Sequence, residues 1–150
     1  ADIVANCVGA LHLFGAPAII LSLGTATTIN VLDKNSNMIG GVISPGVQTS
    51  LNALTANTAQ LSSIGLIAPN RVIGRCTDEC MRSGSVIGTA AMLDGMCARI
   101  EAELGYKCKA VATGGLATVI VPSCLHNVEL CPQLTLEGLR IIYEKNQTTT

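Results

Sequence analysis

The sequence predicts an α/β fold built on one mixed sheet, with an antiparallel meander first and helices alternating with one or two more strands afterwards. Three short β-rich runs follow one another through residues 18–44, with only brief turns between them. The apolar spacing then changes to the helical period, and another β-rich run at 109–113 leads into a pair of glycines. A chain of 150 residues has a length usual for one domain, so residues 1–150 are predicted to form a single domain.

The first element is predicted to be a helix. Asp2 is placed to cap its N-terminus, and Gly15 with Pro17 ends it. The apolar residues that recur at helical spacing are Val4, Cys7, Val8, Leu11 and Phe14.

Three strands joined by tight turns are predicted to follow that helix. The first is a continuous apolar run, so it is expected to be buried, and the second is rich in β-branched residues. Successive short strands with such turns form an antiparallel meander. The strands are Ala18–Leu23, Thr27–Leu32 and Met38–Ser44, and the turns are Gly24-Thr25 and Asp33–Asn37.

The middle of the chain is predicted to be helical. Val47–Leu61 is expected to form a helix and Ser62–Arg75 a loop, because the loop segment holds Gly, Pro and Asn. Met81–Leu104 is the longest helical stretch, and Gly105 closes it. The Gly and Ala content of this stretch favours close helix packing, which suits a buried helix or a dimer interface.

The last third is predicted to hold one strand and two helices. Lys109–Thr113 reads as the strand, and the two glycines after it open onto a helix within the apolar stretch Leu116–Val121. Thr135 is expected to cap a final helix, Leu136–Lys145, with a frayed tail at 146–150.

Composition and charge limit the partners. The net charge is −1 and no run of Lys or Arg exceeds two residues, which argues against nucleic acid or an anionic membrane as the main partner. No apolar run reaches the roughly 18–20 residues of a membrane helix, and no signal peptide begins the chain. The seven scattered cysteines are interpreted as reduced thiols of a cytoplasmic protein. Two sets, Cys76 with Cys80 and Cys124 with His126 and Cys131, remain open as metal ligands, although neither has paired zinc-site spacing.

Two glycine turns are candidates for nucleotide contact. Ser22, Gly24 and Thr25 lie on the first hairpin, where backbone amides and hydroxyls could converge on a phosphate; an ordinary hairpin is the alternative. Gly114 and Gly115 follow a strand and open a helix, which is the geometry that lets a nucleotide approach backbone amides, or simply a tight turn.

Asp2 and Thr77 each have two interpretations. Asp2 could cap the first helix or act as a general base that accepts a hydroxyl proton, and the two roles are compatible. Thr77 precedes the long helix, so its hydroxyl could cap that helix or face a ligand.

Taken in order, these stretches resemble the type III pantothenate kinases of the acetate-kinase/hexokinase/actin superfamily. The resemblance runs from residue 1 to about residue 146 and is most specific in Gly-Thr-Ala-Thr-Thr and Ala-Thr-Gly-Gly-Leu-Ala. It implies one ribonuclease-H-like lobe of the actin-like ATPase fold, the second lobe of the kinase, with the first nucleotide-binding lobe absent from this chain. The stretches that carry it are Ala1-Asp2, Pro17–Ile20, Gly24–Thr28, Gly40–Gly46, Thr77 with Met81, Ser83 and Gly84, Ala112–Leu116, and Leu134–Tyr143.

The resemblance implies ATP-dependent phosphorylation of pantothenate to 4'-phosphopantothenate, the first step of coenzyme A biosynthesis, by a homodimer. ATP, Mg²⁺ and a monovalent cation, K⁺ or NH₄⁺, are the implied co-substrate and cofactors. Asp2 would accept the proton of the pantothenate hydroxyl, and Ala1, Ile3 and Thr77 would also line the substrate pocket. The implied ATP contacts are Gly24, Thr25, Gly114 and Gly115.

Three departures from the family pattern bear on activity. Ile3 stands where the family has an Arg, and its side chain cannot pair with a carboxylate as a guanidinium does. Ser22 stands where the family has the Asp that binds the monovalent cation, so an oxygen remains and the charge is lost. The family's Asp-x-Gly-Asn-Thr loop belongs to the absent lobe, so this chain is expected to be inactive by itself.

Two other interpretations remain open. A non-catalytic relative, dimeric and regulatory or ligand-binding, is favoured by Ile3 and Ser22 and disfavoured by the presence of Asp2, Thr25 and Thr77. A purely structural dimerisation domain accounts for the Gly- and Ala-rich long helix but not for the two glycine turns.

Overall fold

The computed structural model describes residues 2–57 and 65–148. The predicted roles of Ala1, of residues 58–64 and of residues 149–150 lie outside the described residues. Within these residues, six α-helices and five strands form in the order α1, β1–β3, α2–α4, β4, α5, β5, α6. The helices are α1 (Asp2–Phe14), α2 (Val47–Asn57), α3 (Thr77–Arg82), α4 (Gly88–Leu104), α5 (Ala117–Ile120) and α6 (Leu134–Thr148), and the strands are β1 (Ala18–Leu23), β2 (Ala26–Leu32), β3 (Met38–Pro45), β4 (Lys109–Thr113) and β5 (Val128–Leu130).

The five strands form one mixed sheet in the order β3-β2-β1-β4-β5. The first three pair antiparallel, which confirms the predicted meander, while β4 lies parallel to β1 and β5 parallel to β4. β5 has no counterpart among the strands located from the sequence. That strand is three residues long and has Glu129 at its centre, so neither length nor alternation marks it.

The two faces of the sheet are covered by different helices. Side chains alternate along β1, so Ala18 and Ile20 join one apolar cluster with residues of α1 and α6. Ile19, Leu21 and Leu23 point the other way and pack with residues of α2, α4 and α5. The structure therefore has three layers, with α1 and α6 on one side of the sheet and the other helices on the opposite side.

Helices α1 and α6 pack with their backbones in contact. A side chain on Gly138 would overlap the carbonyl of Ala5, and one on Gly9 would lie 2.7 Å from the carbonyl oxygen of Leu134. At this close approach only glycine fits. The Thr135 hydroxyl donates a hydrogen bond to Oδ1 of Asn6 at 2.6 Å in α1. The prediction that Thr135 caps the last helix is therefore wrong: the helix begins at Leu134, and Thr135 joins the two helices instead.

The long helical stretch begins earlier than predicted. It starts at Thr77 rather than Met81, passes through one π-helical segment at Ser83–Ile87, and continues as α4. Cβ atoms added to Gly84 and Gly95 would have no neighbour within 4 Å among the described residues, so close packing at these glycines is not realised within the chain. No helix among the described residues is long and apolar enough to cross a membrane.

Candidate active site

The candidate site lies at the edge of the sheet where parallel strands β1 and β4 end. Ser22 of β1 is directly beside Thr113 of β4 in the strand register. In open α/β sheets, ligands bind outside the carboxyl ends of neighbouring strands, where loops leave in different directions. Here the hairpin after β1 and the glycine loop after β4 leave from the same point, so the topology brings the two predicted nucleotide turns together.

The loop after β4 is in backbone contact with the end of β1. Gly114 has φ +101°, and a Cβ there would lie 2.5 Å from the carbonyl oxygen of Leu23. The Leu116 amide donates a hydrogen bond to that same oxygen at 3.2 Å. Gly115 differs, because a Cβ on it would meet nothing within 4 Å. The open side at Gly115 is where another molecule could approach the backbone.

The hairpin after β1 is tied to the neighbouring helix. The Gly24 amide donates to the Ala26 carbonyl at 3.2 Å, which closes the turn. The Thr49 hydroxyl of α2 donates to the carbonyl oxygen of Thr25 at 3.2 Å. Gly24 and Thr25 are both exposed, so the turn is held by its carbonyls while it faces solvent.

Three hydroxyl residues form a row across the sheet beside this turn. Ser22 pairs with Thr28 of β2 on one side and with Thr113 of β4 on the other. Directly opposed residues share one face of a sheet, and Ser22 has the same parity as Ala18 and Ile20, so the row faces the α1 side. The Thr113 hydroxyl reaches the Pro132 carbonyl at 3.5 Å. The row supplies neutral oxygens, the donor type that an alkali cation prefers, but no carboxylate.

Asp2 begins the helix on this same side. The neighbouring Ile3 lines a groove with Leu32, Ser36 and Met38, which lie by the turn between β2 and β3, at the opposite end of β1 from Ser22. Asp2 is exposed. Next to it, the Ile3 side chain is 37% exposed and lies in a shallow apolar groove with Val4, Leu11 and Met38.

Thr77 lies on the opposite face of the sheet from Asp2. It begins α3 and lines a cleft of about 770 Å³ between the meander, α2 and the α3–α4 stretch. The structure therefore brings the hairpin and the glycine loop together at one edge of the sheet, and it places Thr77 in a cleft on the face opposite α1.

The cleft contains polar groups that sequence analysis did not single out. Thr27 is 1% exposed, lines the cleft, and its hydroxyl has no hydrogen-bond partner among the described residues. A buried hydroxyl without a partner is uncommon and indicates a place for a ligand or water. Thr27 is part of the Gly-Thr-Ala-Thr-Thr stretch, so the sequence marked the segment but not the face toward which this side chain points.

Charges around the cleft are mostly paired. Glu79 accepts a hydrogen bond from the Arg75 amide at 2.8 Å and pairs with Arg71 at 3.3 Å. The Arg75 amide and the Arg71 guanidinium lower the pKa of the Glu79 carboxyl. Arg82 pairs with Asp78 at 3.0 Å. Arg75 lines the cleft and forms no ion pair among residues 2–57 and 65–148.

A buried acid on α4 was also missed. Glu101 is 6% exposed, accepts the Cys108 amide at 2.8 Å, and lies 3.6 Å from the His126 ring. Glu101 continues the buried stripe of α4 that runs through Leu93 and Cys97. Its position four residues after Cys97 is the feature of the sequence from which its burial could have been predicted.

The cysteines do not assemble a metal centre in the described part of the chain. All seven are free, and no group of three or more His, Cys, Asp or Glu side chains there could hold a metal ion. Burial raises the pKa of the Cys97 thiol to about 12 and that of Cys124 to about 11, with smaller contributions from nearby carboxylates. Cys7, Cys108 and Cys131 also have raised pKa values because of burial.

The chain is similar to type III pantothenate kinases over nearly its whole length. The model of the type III pantothenate kinase family matches residues 1–99. A type III pantothenate kinase of Frankia alni is 43% identical over 146 residues, which is 97% of this chain and 58% of the relative. One of Thermomicrobium roseum is 43% identical over 145 residues, which is 97% of this chain and 56% of the relative. The chain thus spans a little over half the length of these curated relatives.

Solved structures confirm the predicted fold class, one lobe of the actin-like ATPase fold. A Campylobacter jejuni protein described as a Baf family transcriptional activator superposes with a TM-score of 0.64 at 20% identity, covering 96% of this chain and 65% of that one. The activator of 2-hydroxyisocaproyl-CoA dehydratase from Clostridium difficile, with bound ADPNP, gives 0.54 at 12% identity, covering 99% and 69%. At such identities the likeness shows the fold alone.

Proposed function

This chain belongs to the type III pantothenate kinase family, and we propose that it contributes the second lobe of an enzyme that phosphorylates pantothenate with ATP. The product is 4'-phosphopantothenate, which enters coenzyme A biosynthesis. One observation supports this most strongly: the hairpin at Gly24 and the loop at Gly114 meet through the Leu23 backbone at one edge of the sheet. Phosphoryl transfer depends mainly on such positioning and on charge stabilisation.

Residues of the proposed site have distinct roles. Asp2, exposed at the start of α1, accepts the proton of the pantothenate hydroxyl as that oxygen attacks. The exposed turn at Thr25 donates to phosphate oxygens, and the open backbone at Gly115 lies against the adenosine. ATP with Mg²⁺ supplies the phosphoryl group that is transferred.

The cation fit is partial. The Ser22 row provides neutral oxygens that suit K⁺ or NH₄⁺, whereas a carboxylate at position 22 would add charge. The described part of the chain contains no group of three or more Asp, Glu, His or Cys side chains that could hold Mg²⁺. Mg²⁺ is therefore proposed to be held by the ATP phosphates.

A homodimer is proposed from the position of Thr77. Asp2 and Thr77 are both implied substrate contacts, yet they lie on opposite faces of one sheet. Two copies could bring Asp2 of one chain to Thr77 of the other, and the protein would then work in the cytoplasm as a symmetric pair.

The test is ADP release that depends on pantothenate, measured on the longest natural form containing these 150 residues, with and without K⁺ or NH₄⁺. Asp2→Asn keeps the size of the side chain but removes the base, so turnover should fall by about 100-fold or more. Glu103→Gln removes an exposed carboxylate from α4 and should leave turnover unchanged. Turnover unaffected by Asp2→Asn would contradict the proposed base.

A second function is favoured by Ile3 and Ser22. Ile3 lines an apolar groove where a guanidinium would instead pair with a carboxylate, and Ser22 leaves the hydroxyl row without charge. A non-catalytic, ligand-binding relative would bind pantothenate or ATP without turnover. If Ile3→Arg combined with Ser22→Asp produced a large gain in turnover, the protein would be a weakened kinase; unchanged absence of turnover would support the non-catalytic function.

A further inference from the structure

We infer that Cys76 and Cys80 form a thiol-modification site on the wall of the Thr77 cleft, and that this site takes anionic low-molecular-weight thiols by exchange with their disulfides. Both cysteines are exposed, and both line the cleft. The Cys80 amide donates to the Cys76 carbonyl at 2.9 Å, so the two residues are one helical turn apart and enclose Thr77 between them in sequence.

The cleft has room and hydrogen-bonding capacity for an attached molecule. Its volume of about 770 Å³ lies within the range of small-molecule sites. The Thr27 hydroxyl is buried in its wall without a partner among the described residues, which is an independent indication that a polar group is accommodated there. A peptide-like thiol attached at the wall could supply that group.

The other five cysteines are poorer sites. Thiolate is the reacting form, and the fraction of thiolate falls tenfold for each unit by which a pKa is raised. Cys97, with a pKa of about 12, is fully buried, and Cys124, with a pKa of about 11, is partly buried. The remaining three, Cys7, Cys108 and Cys131, combine raised pKa values with partial or full burial. Cys76 and Cys80 are the two exposed cysteines of the chain.

The charge beside the pair selects an anionic reagent. Arg71 and Arg82 are each paired with a carboxylate, at Glu79 and Asp78 respectively. Arg75, adjacent to Cys76 and also lining the cleft, has no ion pair within residues 2–57 and 65–148. An unpaired guanidinium attracts carboxylates and repels cations.

The covalent step is an ordinary thiol–disulfide exchange. A thiolate of Cys76 or Cys80 attacks one sulfur of a disulfide R–S–S–R; the S–S bond of the reagent breaks, and a protein–S–S–R bond forms. The released RS⁻ takes up a proton, so the protein thiol is oxidised and one half of the reagent is reduced. Excess free thiol reverses the step.

The site is tested by treating the longest natural form of the protein with glutathione disulfide and mapping adducts by mass spectrometry over time. The first adducts should fall on Cys76, Cys80 or both. Replacing both by Ser should slow total incorporation within this chain by about tenfold or more, whereas Cys108→Ser with Cys131→Ser should not. Equal rates at Cys108 or Cys131, an internal Cys76–Cys80 disulfide without adduct, or no adduct, would each overturn the inference.

The charge requirement is tested with a second reagent. Cystamine is a dication, whereas glutathione disulfide is an anion. The rate of adduct formation with one relative to the other therefore reports the sign of the electrostatic potential at the two cysteines. Arg75→Gln should lower the ratio of the glutathione disulfide rate to the cystamine rate by about threefold or more. A ratio that stays the same would show that the site does not select anionic thiols.

The adduct should also compete with a ligand of the cleft, a consequence that rests on the proposed function. The association constant for pantothenate is measured by calorimetry before and after treatment with glutathione disulfide. The ratio of the treated to the untreated constant should fall below one in the wild type and recover with excess dithiothreitol. In the double Ser variant the ratio should stay near one. Adduct formation without loss of binding would overturn this consequence. Absence of binding in every untreated sample would instead contradict the proposed function and leave the mapped site standing.

Discussion

Gly114 is in contact with the backbone of Leu23, close enough that a Cβ on Gly114 would lie 2.5 Å from the Leu23 carbonyl oxygen. This contact joins the loop after β4 to the end of β1 and so sets the spacing between the two proposed nucleotide turns. The Leu23 carbonyl is already fixed by the Leu116 amide, so it cannot move away without breaking that hydrogen bond. Backbone contacts, rather than side-chain packing, therefore set the distance between the two turns.

Gly114→Ala should destabilise the protein by about 2–4 kcal/mol. The new Cβ would clash with the Leu23 carbonyl, and alanine would have to adopt the positive φ that glycine has there. Urea unfolding measures this. Gly115→Ala is the matched control: a Cβ there has open space, and the change should be within about 1 kcal/mol. Equal effects of the two substitutions would show that the Leu23 contact does not constrain the loop.

Gly138→Ala should separate α1 from α6. Its Cβ would overlap the Ala5 carbonyl, so we expect a loss of about 2–4 kcal/mol and a displacement of α1, which carries Asp2. Thermal unfolding reports the loss, and turnover reports the displacement. Gly95→Ala in α4 has free space and should instead stabilise by about 0.5–1 kcal/mol. A neutral Gly138→Ala would mean that the two helices are not held at this distance.

The sequence predicted most of the fold because its periods are clear. The β-branched run that became β2 and the apolar run that became β1 were placed within one residue, and the glycine loop after β4 was placed correctly. β5 was not located because a three-residue strand with a central Glu has no periodic signal. The π-helical segment at Ser83–Ile87 was not predicted either, since its residues fit an α-helical pattern.

The site was predictable in its parts more than in its arrangement. Motif similarity marked Asp2 and Thr77, but neither spacing nor composition shows that they lie on opposite faces of the sheet. That separation follows from the side-chain alternation of β1 and from which helices each face binds. Thr27 was missed for a related reason, because its orientation depends on its register opposite Leu23.

Stability should fall as pH rises between about 9 and 12, in part because of Cys97. Its pKa is raised from 9.0 to about 12 in the folded protein, so above pH 9 the unfolded chain loses a proton that the folded chain keeps. A shift of that size corresponds to up to about 4 kcal/mol. Urea unfolding measures the free energy of unfolding at pH 8 and at pH 10.5. The decrease between the two pH values should be smaller for Cys97→Ala than for the wild type, since the variant lacks this thiol. Identical losses would exclude Cys97 as a source.

Ser22→Asp should make stability depend on the monovalent cation. The new carboxylate would lie beside Thr28 and Thr113 and, without a cation, would destabilise the partly buried edge. With K⁺ bound, the variant should gain about 1–3 kcal/mol relative to tetramethylammonium at equal ionic strength. Ser22→Asn, which adds similar volume without charge, should show no such gain. If K⁺ and tetramethylammonium had the same effect on Ser22→Asp, the hydroxyl row would not be a cation site.

Mixing two inactive variants should restore activity if the substrate site is shared between two copies. Asp2→Asn removes the base and Thr77→Ala removes a substrate contact, and these residues lie on opposite faces of one chain. In a randomly mixed population half of the dimers are hybrids, and each hybrid holds one site with both groups intact, so turnover should recover to about a quarter of the wild-type value. The variants must be unfolded and refolded together, because preformed dimers would not exchange. Should the mixture stay as inactive as its parts while hybrid dimers are detected by mass, then Asp2 and Thr77 act within one chain or in separate sites.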